Sequence, residues 1–156
     1  MKIVPFSPEH IGQIHGNNLD KEYTKERRRQ LTLDELQQLC IGPYSVAYTV
    51  IVDDAPVLAT GMLKYKSSGL AWVYAGEMSL GTLLQVCKIA KRAIPGVMVS
   101  LNLTVCETAV LNSFSEANRF AQAVGFEPST PEAPLPQWVE FCPMDDADFI
   151  FLRKSI

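Results

Sequence analysis

The chain has 156 residues, 47% of them apolar and 20% charged, with 14 Lys and Arg against 17 Asp and Glu for a formal net charge of −3. That length supports one domain with a sizeable core, and the composition excludes a disordered chain. The negative balance gives no support to a nucleic-acid partner, no apolar run approaches the roughly 18 residues of a membrane helix, and the N-terminus MKIVPFSPEH has no apolar signal-peptide core, so a cytoplasmic protein is expected.

Ile3, Val4 and Phe6 make a short first strand, stopped by Pro5 and Pro8. Ser7-Pro8-Glu9 reads as a helix N-cap with proline at the first helical position. Residues from about His10 to Leu39 read as two helices, one carrying Ile11 and Ile14, the other Leu31, Leu33, Leu36 and Leu39 with Thr32 as a cap. The polar run between them holds Lys25, Arg27, Arg28 and Arg29 among Glu22 and Glu26, a solvated face with internal ion pairs.

Gly42-Pro43 breaks this pattern. Tyr44 to Val52 and Val57 to Tyr65 are rich in β-branched and aromatic residues, and Asp53-Asp54-Ala55-Pro56 joins them into an antiparallel hairpin. Ser67-Ser68-Gly69 is a turn, and Leu70 to Ala75 a fourth strand. Leu80, Leu83, Leu84, Cys87, Ala90 and Ile94 form a helical stripe with Ser79 as N-cap, and Pro95-Gly96 is expected to stop that helix. Val97 to Val105 then reads as a central strand. Ala117, Phe120, Ala121 and Val124 stand at i, i+3, i+4 and i+7 of a last helix, and Gly125 is placed to end it with positive φ. Pro128 to Gln137 is a proline-rich loop, followed by strands at Trp138 to Cys142 and Asp148 to Leu152.

A helix closed by Gly125-Phe126 late in such a chain resembles the last helix of the GNAT acyltransferase fold. Ala117, Phe120, Gly125 and Phe126 match that family's ending. Phe114 stands in place of its Asn, and Ala121 in place of the Tyr that protonates the departing thiolate. The order of strands and helices is also the GNAT order. The expected fold is therefore α+β, one GNAT-like domain over residues 1–156 with a mixed, mostly antiparallel sheet of about seven strands and about four flanking helices. The compact, motif-poor layout looks most like the small phage-encoded GNAT-like proteins, such as the internal virion protein of short-tailed phages.

The resemblance also implies where a site would lie. The family holds the acetyl-CoA pyrophosphate on backbone N–H groups of the turn between the fourth strand and the next helix. That turn is here Tyr74 to Thr82, so Ala75, Gly76, Ser79, Leu80, Gly81 and Thr82 are the candidate cofactor contacts. Their glycine spacing departs from the family pattern, and Glu77 puts a carboxylate where an anion would sit. The same stretch equally reads as a plain strand-to-helix turn. The pantetheine arm would pair with Ala75 and with Asn102, Leu103 and Thr104 of the next strand, and the span from Cys106 to Phe114 reads as extra length beside the cleft. Glu77 and Glu107 are the carboxylates able to act as general base, and Tyr74 is the substitute acid.

Other clusters carry less. Cys40, Cys87, Cys106 and Cys142 have no C-x-x-C spacing and read as buried thiols. His10 and His15 do not share a helix face as a metal pair would, and Asp145, Asp146 and Asp148 do not have calcium-loop spacing; no metal is expected. Two functions follow. One is a phage-type GNAT-like protein with degenerate acetyl-CoA motifs and weak or absent cofactor binding, acting as a binding or virion-associated component on a virion or host protein, in host cytoplasm or virion. The other is a divergent acetyl-CoA-dependent N-acetyltransferase acting on a small amine or on a protein lysine or N-terminus.

Overall fold

A computed structural model describes residues 1–14, 40–65, 68–111, 115–130 and 149–156. The second helix expected from Leu31 to Leu39, the basic run from Lys25 to Arg29, His15, and the strand at Trp138 to Cys142 lie outside them, as do Cys142, Asp145, Asp146 and Asp148. The elements are β1 (Lys2–Pro5), α1 (Glu9–Gln13), β2 (Ser45–Val52), β3 (Ala55–Tyr65), β4 (Ser68–Ala75), α2 (Leu80–Ser100), β5 (Val105–Leu111), α3 (Ser115–Ala123), β6 (Glu127–Pro128) and β7 (Phe149–Ser155). The strands form one mixed sheet in the order β1-β2-β3-β4-β5-β7-β6. Residues group into two compact units, Met1–Leu63 with Ala71–Ser79, and Lys64–Leu70 with Leu80–Ile156.

The first unit is built on the expected hairpin. Asp53 and Asp54 have φ of 49° and 61°, so the link between Val52 and Ala55 is a two-residue turn with both central residues left-handed. Its twist matches that of the flanking strands, and Asp tolerates the conformation. β1 adds antiparallel to β2 from Lys2↔Ile51 to Pro5↔Tyr48. One face carries a core of Phe6, Ile14, Cys40 and Ala59, with Ile11, Ala47, Trp72 and Tyr74 packed against it. The Trp72 ring sits on Gly61: a Cβ there would lie 2.8 Å from three indole atoms. Phe6 meets Trp72 edge-on at 5.4 Å between centroids, and the Thr60 hydroxyl donates to the Trp72 carbonyl at 2.8 Å. Any side chain at position 61 would therefore displace the largest ring of this core. Ser7 serves α1 through its backbone: its carbonyl accepts from the His10 N–H at 2.9 Å, and Pro8 occupies the cap position.

The second unit departs from the sequence reading in α2. The helix does not stop at Pro95 but runs to Ser100, with Pro95 inside it. An interior proline costs about 3 kcal/mol. Continuing the helix places Met98 and Leu101 at 0% and 6% exposure, and burying two such side chains returns about 1.5–3 kcal/mol each. The two terms balance in favour of helix. The helix also has an ending that the sequence provides. Asn102, with φ of 54°, takes the left-handed position. Its N–H donates to the Val99 carbonyl at 3.0 Å, and the Leu103 N–H donates to the Met98 carbonyl at 2.9 Å. These two bonds are the Schellman pattern, and Met98 and Leu103 at its two apolar positions are both buried.

The expected strand from Val97 to Val105 is thus the last turn of α2 and its cap, and the strand itself is Val105–Leu111. The expected stripe holds at its half-buried members Leu83, Cys87, Ala90 and Ile94 but not at Leu80 and Leu84. Leu80 and Leu84 are 71% and 61% exposed, while Val86 and Met98 are buried, so a loss of stability on Leu84→Ala has no structural ground. The apparent extra length from Cys106 onward disappears, because Cys106 to Leu111 is β5 itself.

α3 ends as its sequence implies. Gly125 has φ of 97°. Its N–H donates to the Gln122 carbonyl at 2.9 Å, and the Phe126 N–H donates to the Ala121 carbonyl at 3.0 Å. Lys154 of β7 donates to the Val124 and Gly125 carbonyls at 3.3 and 3.4 Å, a cation at the negative end of the helix. β7 pairs antiparallel with β5 from Val105↔Ser155 to Leu111↔Phe149. It begins at Phe149 and runs to Ser155, three residues past the expected end at Leu152.

Candidate functional site

The residues singled out in the sequence fall in three places. In the first unit, Tyr74 and Ala75 end β4, and Gly76 to Ser79 follow as four residues without regular structure. The Tyr74 ring packs against the core cluster beside Trp72, because both stand on the same face of the strand. The Gly76 N–H donates to the Val57 carbonyl at 2.9 Å, so one of the candidate phosphate donors is already used within the sheet. Glu77 and Ser79 are exposed.

In the second unit, Leu80, Gly81 and Thr82 form the first turn of α2. The opening N–H groups of a helix have no partner within it. A helix of 21 residues presents a full macrodipole at that end, and no acidic side chain stands in its first turn to compete with an anion. This end fits a phosphate group. Asn102 and Leu103 do not join it. They close the same helix at its other end, roughly 30 Å away at 1.5 Å per residue. Their N–H groups are spent on the helix cap, and the Thr104 carbonyl accepts from the Ile156 N–H at 3.1 Å. None of these groups is left to pair with a pantetheine arm, which corrects the placement expected from the misread strand.

Glu107 lies within β5, opposite Arg153 of β7 in register. Its carboxylate stands 4.0 Å from Arg153 Nε and accepts from the Ser68 hydroxyl at 3.4 Å. Side-chain exposures of 17% and 26% make this a sheltered pair. A carboxylate so engaged is bound into the sheet and poorly placed to take a proton from a substrate. The Cys106 thiol is wholly buried. Burial pushes the Cys40 thiol up to about 11 and raises Cys87 as well, so neither is a thiolate nucleophile.

Sequence reasoning weighed His10 only as a metal partner of His15. Its Nδ1 accepts from the Ser7 N–H at 3.2 Å and lies 2.8 Å from the hydroxyl of fully buried Thr49. The nearest sequence signal was the Ser7-Pro8 cap three residues earlier. Among the described residues, no group of three or more His, Cys, Asp or Glu side chains is arranged to hold a metal ion, and no helix is long and apolar enough to cross a membrane.

No protein-family model matches the sequence, and a comparison with curated proteins finds no match. Solved structures match over nearly the whole length. An acetyltransferase from Streptococcus agalactiae superposes with a TM-score of 0.69 at 9% identity, covering 99% of this chain and 98% of its own. A GNAT-family acetyltransferase from Staphylococcus aureus gives 0.66 at 15%, covering 99% and 98%. A variant of spermidine N-acetyltransferase from Vibrio cholerae gives 0.62 at 11%, covering 99% and 95%. At such identities the shared property is the backbone arrangement, and this chain has the α+β fold of the GNAT acetyltransferases.

Proposed function

We propose that this protein is a divergent acetyl-CoA-dependent N-acetyltransferase, with residues 1–156 acting as one GNAT-like domain. The observation that carries the reading is the full-length fold match to acetyltransferases, together with a first turn of α2 that carries no acidic side chain. Acetyl-CoA would supply the activated acetyl group as a thioester. The backbone N–H groups of Leu80 and Gly81 would hold its phosphates. On β5 the pairing role would pass from Asn102 and Leu103 to Ala109 and Val110, which lie beyond the β4 pairing at Gly69↔Cys106 and Leu70↔Glu107.

Glu77 is the exposed carboxylate of this stretch and the base we assign to the amine proton, acting through water; Tyr74 is the assigned acid. Much of the rate in such a site comes from holding the two reactants together, so a degenerate turn is compatible with slow turnover. The acceptor class is an amine, as in the spermidine enzyme of the same fold. Nothing in the fold or the comparisons points to a virion component.

The test is release of CoA thiol from acetyl-CoA in the presence of spermidine, an aminoglycoside and a lysine-containing peptide in turn. Thiol release with at least one amine, confirmed by the acetylated product in mass spectrometry, supports the proposal. Release no faster than hydrolysis with every amine counts against it. Glu77→Gln separates two roles of that residue. A base predicts lower turnover whatever the change in binding, whereas a mere repulsive neighbour of the phosphates predicts tighter binding with unchanged turnover.

A further inference from the structure

The outer face of α2 combines features that its own fold does not use. Leu84 and Val99 are 61% and 64% exposed, and Lys88, Lys91 and Arg92 are exposed as well. At 100° per residue these five side chains fall within an arc of about 100°, along roughly 22 Å of helix. The helix holds three cations and no acid, while the other 135 residues carry 11 Lys and Arg against 17 Asp and Glu, a formal −6. No ion pair among the described residues involves Lys88, Lys91 or Arg92. A solvated helix face ordinarily mixes both signs and keeps large apolar side chains off it.

We infer that this face docks an acidic, amphipathic segment of another protein. The three cations, which enter no ion pair among the described residues, supply the charge complementarity, and Leu84 and Val99 supply apolar area. A second copy bringing the same face would oppose three cations with three cations. A lipid surface is disfavoured on two grounds: α2 contains no Trp, Tyr or Phe to anchor in an interface, and an extended anionic plane also meets the −6 carried by the rest of the chain. A helix-sized partner meets the stripe alone. The inference does not depend on acyl transfer, since none of these five residues belongs to the turn assigned to acetyl-CoA.

The probe is a labelled synthetic helix of about 18 residues, long enough to be helical when docked, with Leu on one stripe and Glu elsewhere, followed by fluorescence anisotropy. A control peptide carries Lys in place of Glu. The Glu peptide is expected to bind and the Lys peptide not. Lys88→Glu combined with Arg92→Glu should weaken the Glu peptide by at least about tenfold, since like charges then face each other. Lys88→Gln with Arg92→Gln serves if the reversal does not fold, and should weaken it by about threefold. No binding of the Glu peptide, equal binding of both peptides, or indifference to these variants overturns the inference. So does tighter binding to vesicles of phosphatidylcholine with about a third phosphatidylglycerol, which would mark a lipid-facing surface.

Discussion

Helices α2 and α3 close on the same backbone device, a left-handed residue followed by a buried apolar side chain, but that residue is Asn102 in one and Gly125 in the other. The difference is what surrounds the missing or present Cβ. At Gly125 a Cβ would run into the Lys154 amine, which lies over the helix end to bind its last carbonyls. Asn102 is exposed, so its side chain has room, and Asn tolerates the left-handed region better than other residues with a Cβ. A helix therefore ends where its terminal carbonyls find donors, and a proline inside it is only one opposing term.

Substitutions can break this comparison. The largest effect is expected at Met98, which is wholly buried in the last turn of α2. Met98→Ala should cost about 2–5 kcal/mol in urea unfolding, and a loss under about 0.5 kcal/mol would mean the turn beyond Pro95 is not part of the core. Next comes Gly125→Ala, which combines left-handed strain with displacement of Lys154; about 1–3 kcal/mol is expected. Asn102→Ala lacks the steric part and should cost about 1 kcal/mol. If both cost the same, Lys154 contributes nothing to the difference.

Pro95→Ala tests the helix from the opposite side. Restoring an N–H and removing the ring should raise stability by about 1 kcal/mol or more; a destabilised variant would show that the proline stops or shapes α2 in a way the hydrogen bonds do not record. The smallest effect is expected at Leu84, largely exposed, where Leu84→Ala should change stability by less than about 0.5 kcal/mol.

The legible parts of the chain were those where one local signal had no competitor. The Asp53-Asp54 hairpin turn, the β-branched and aromatic run of β2, and the stripe of α3 followed by Gly125-Phe126 each specify one outcome, and each is present. α2 was misread because two signals conflicted. Pro95-Gly96 suggested a stop, and VMVSLNLTV has the β-branched character of a strand. The deciding interactions were tertiary, the burial of Met98, Leu101 and Leu103. A reading of Asn102 as a left-handed cap with apolar residues at Met98 and Leu103 would have recovered the true boundary. That one error moved β5 by several residues and carried Asn102 and Leu103 into the candidate site. The turn from Tyr74 to Thr82 was placed correctly between β4 and α2, but the use of the Gly76 N–H by Val57 is a pairing across strands that local sequence does not encode.

The central claim is that the N-terminus of α2 binds the phosphates of acetyl-CoA, and calorimetric titration of the intact protein with acetyl-CoA tests it most directly. One site with a dissociation constant of tens to hundreds of micromolar, about −6 to −5 kcal/mol, is expected. Gly81→Asp should abolish it while leaving the helix intact or firmer, because an acid in the first turn suits the macrodipole but repels phosphate. Glu77→Gln should tighten it by about fivefold or less, a screened like-charge contact being removed. No heat of binding at millimolar acetyl-CoA, or binding that Gly81→Asp leaves unchanged, would contradict the account.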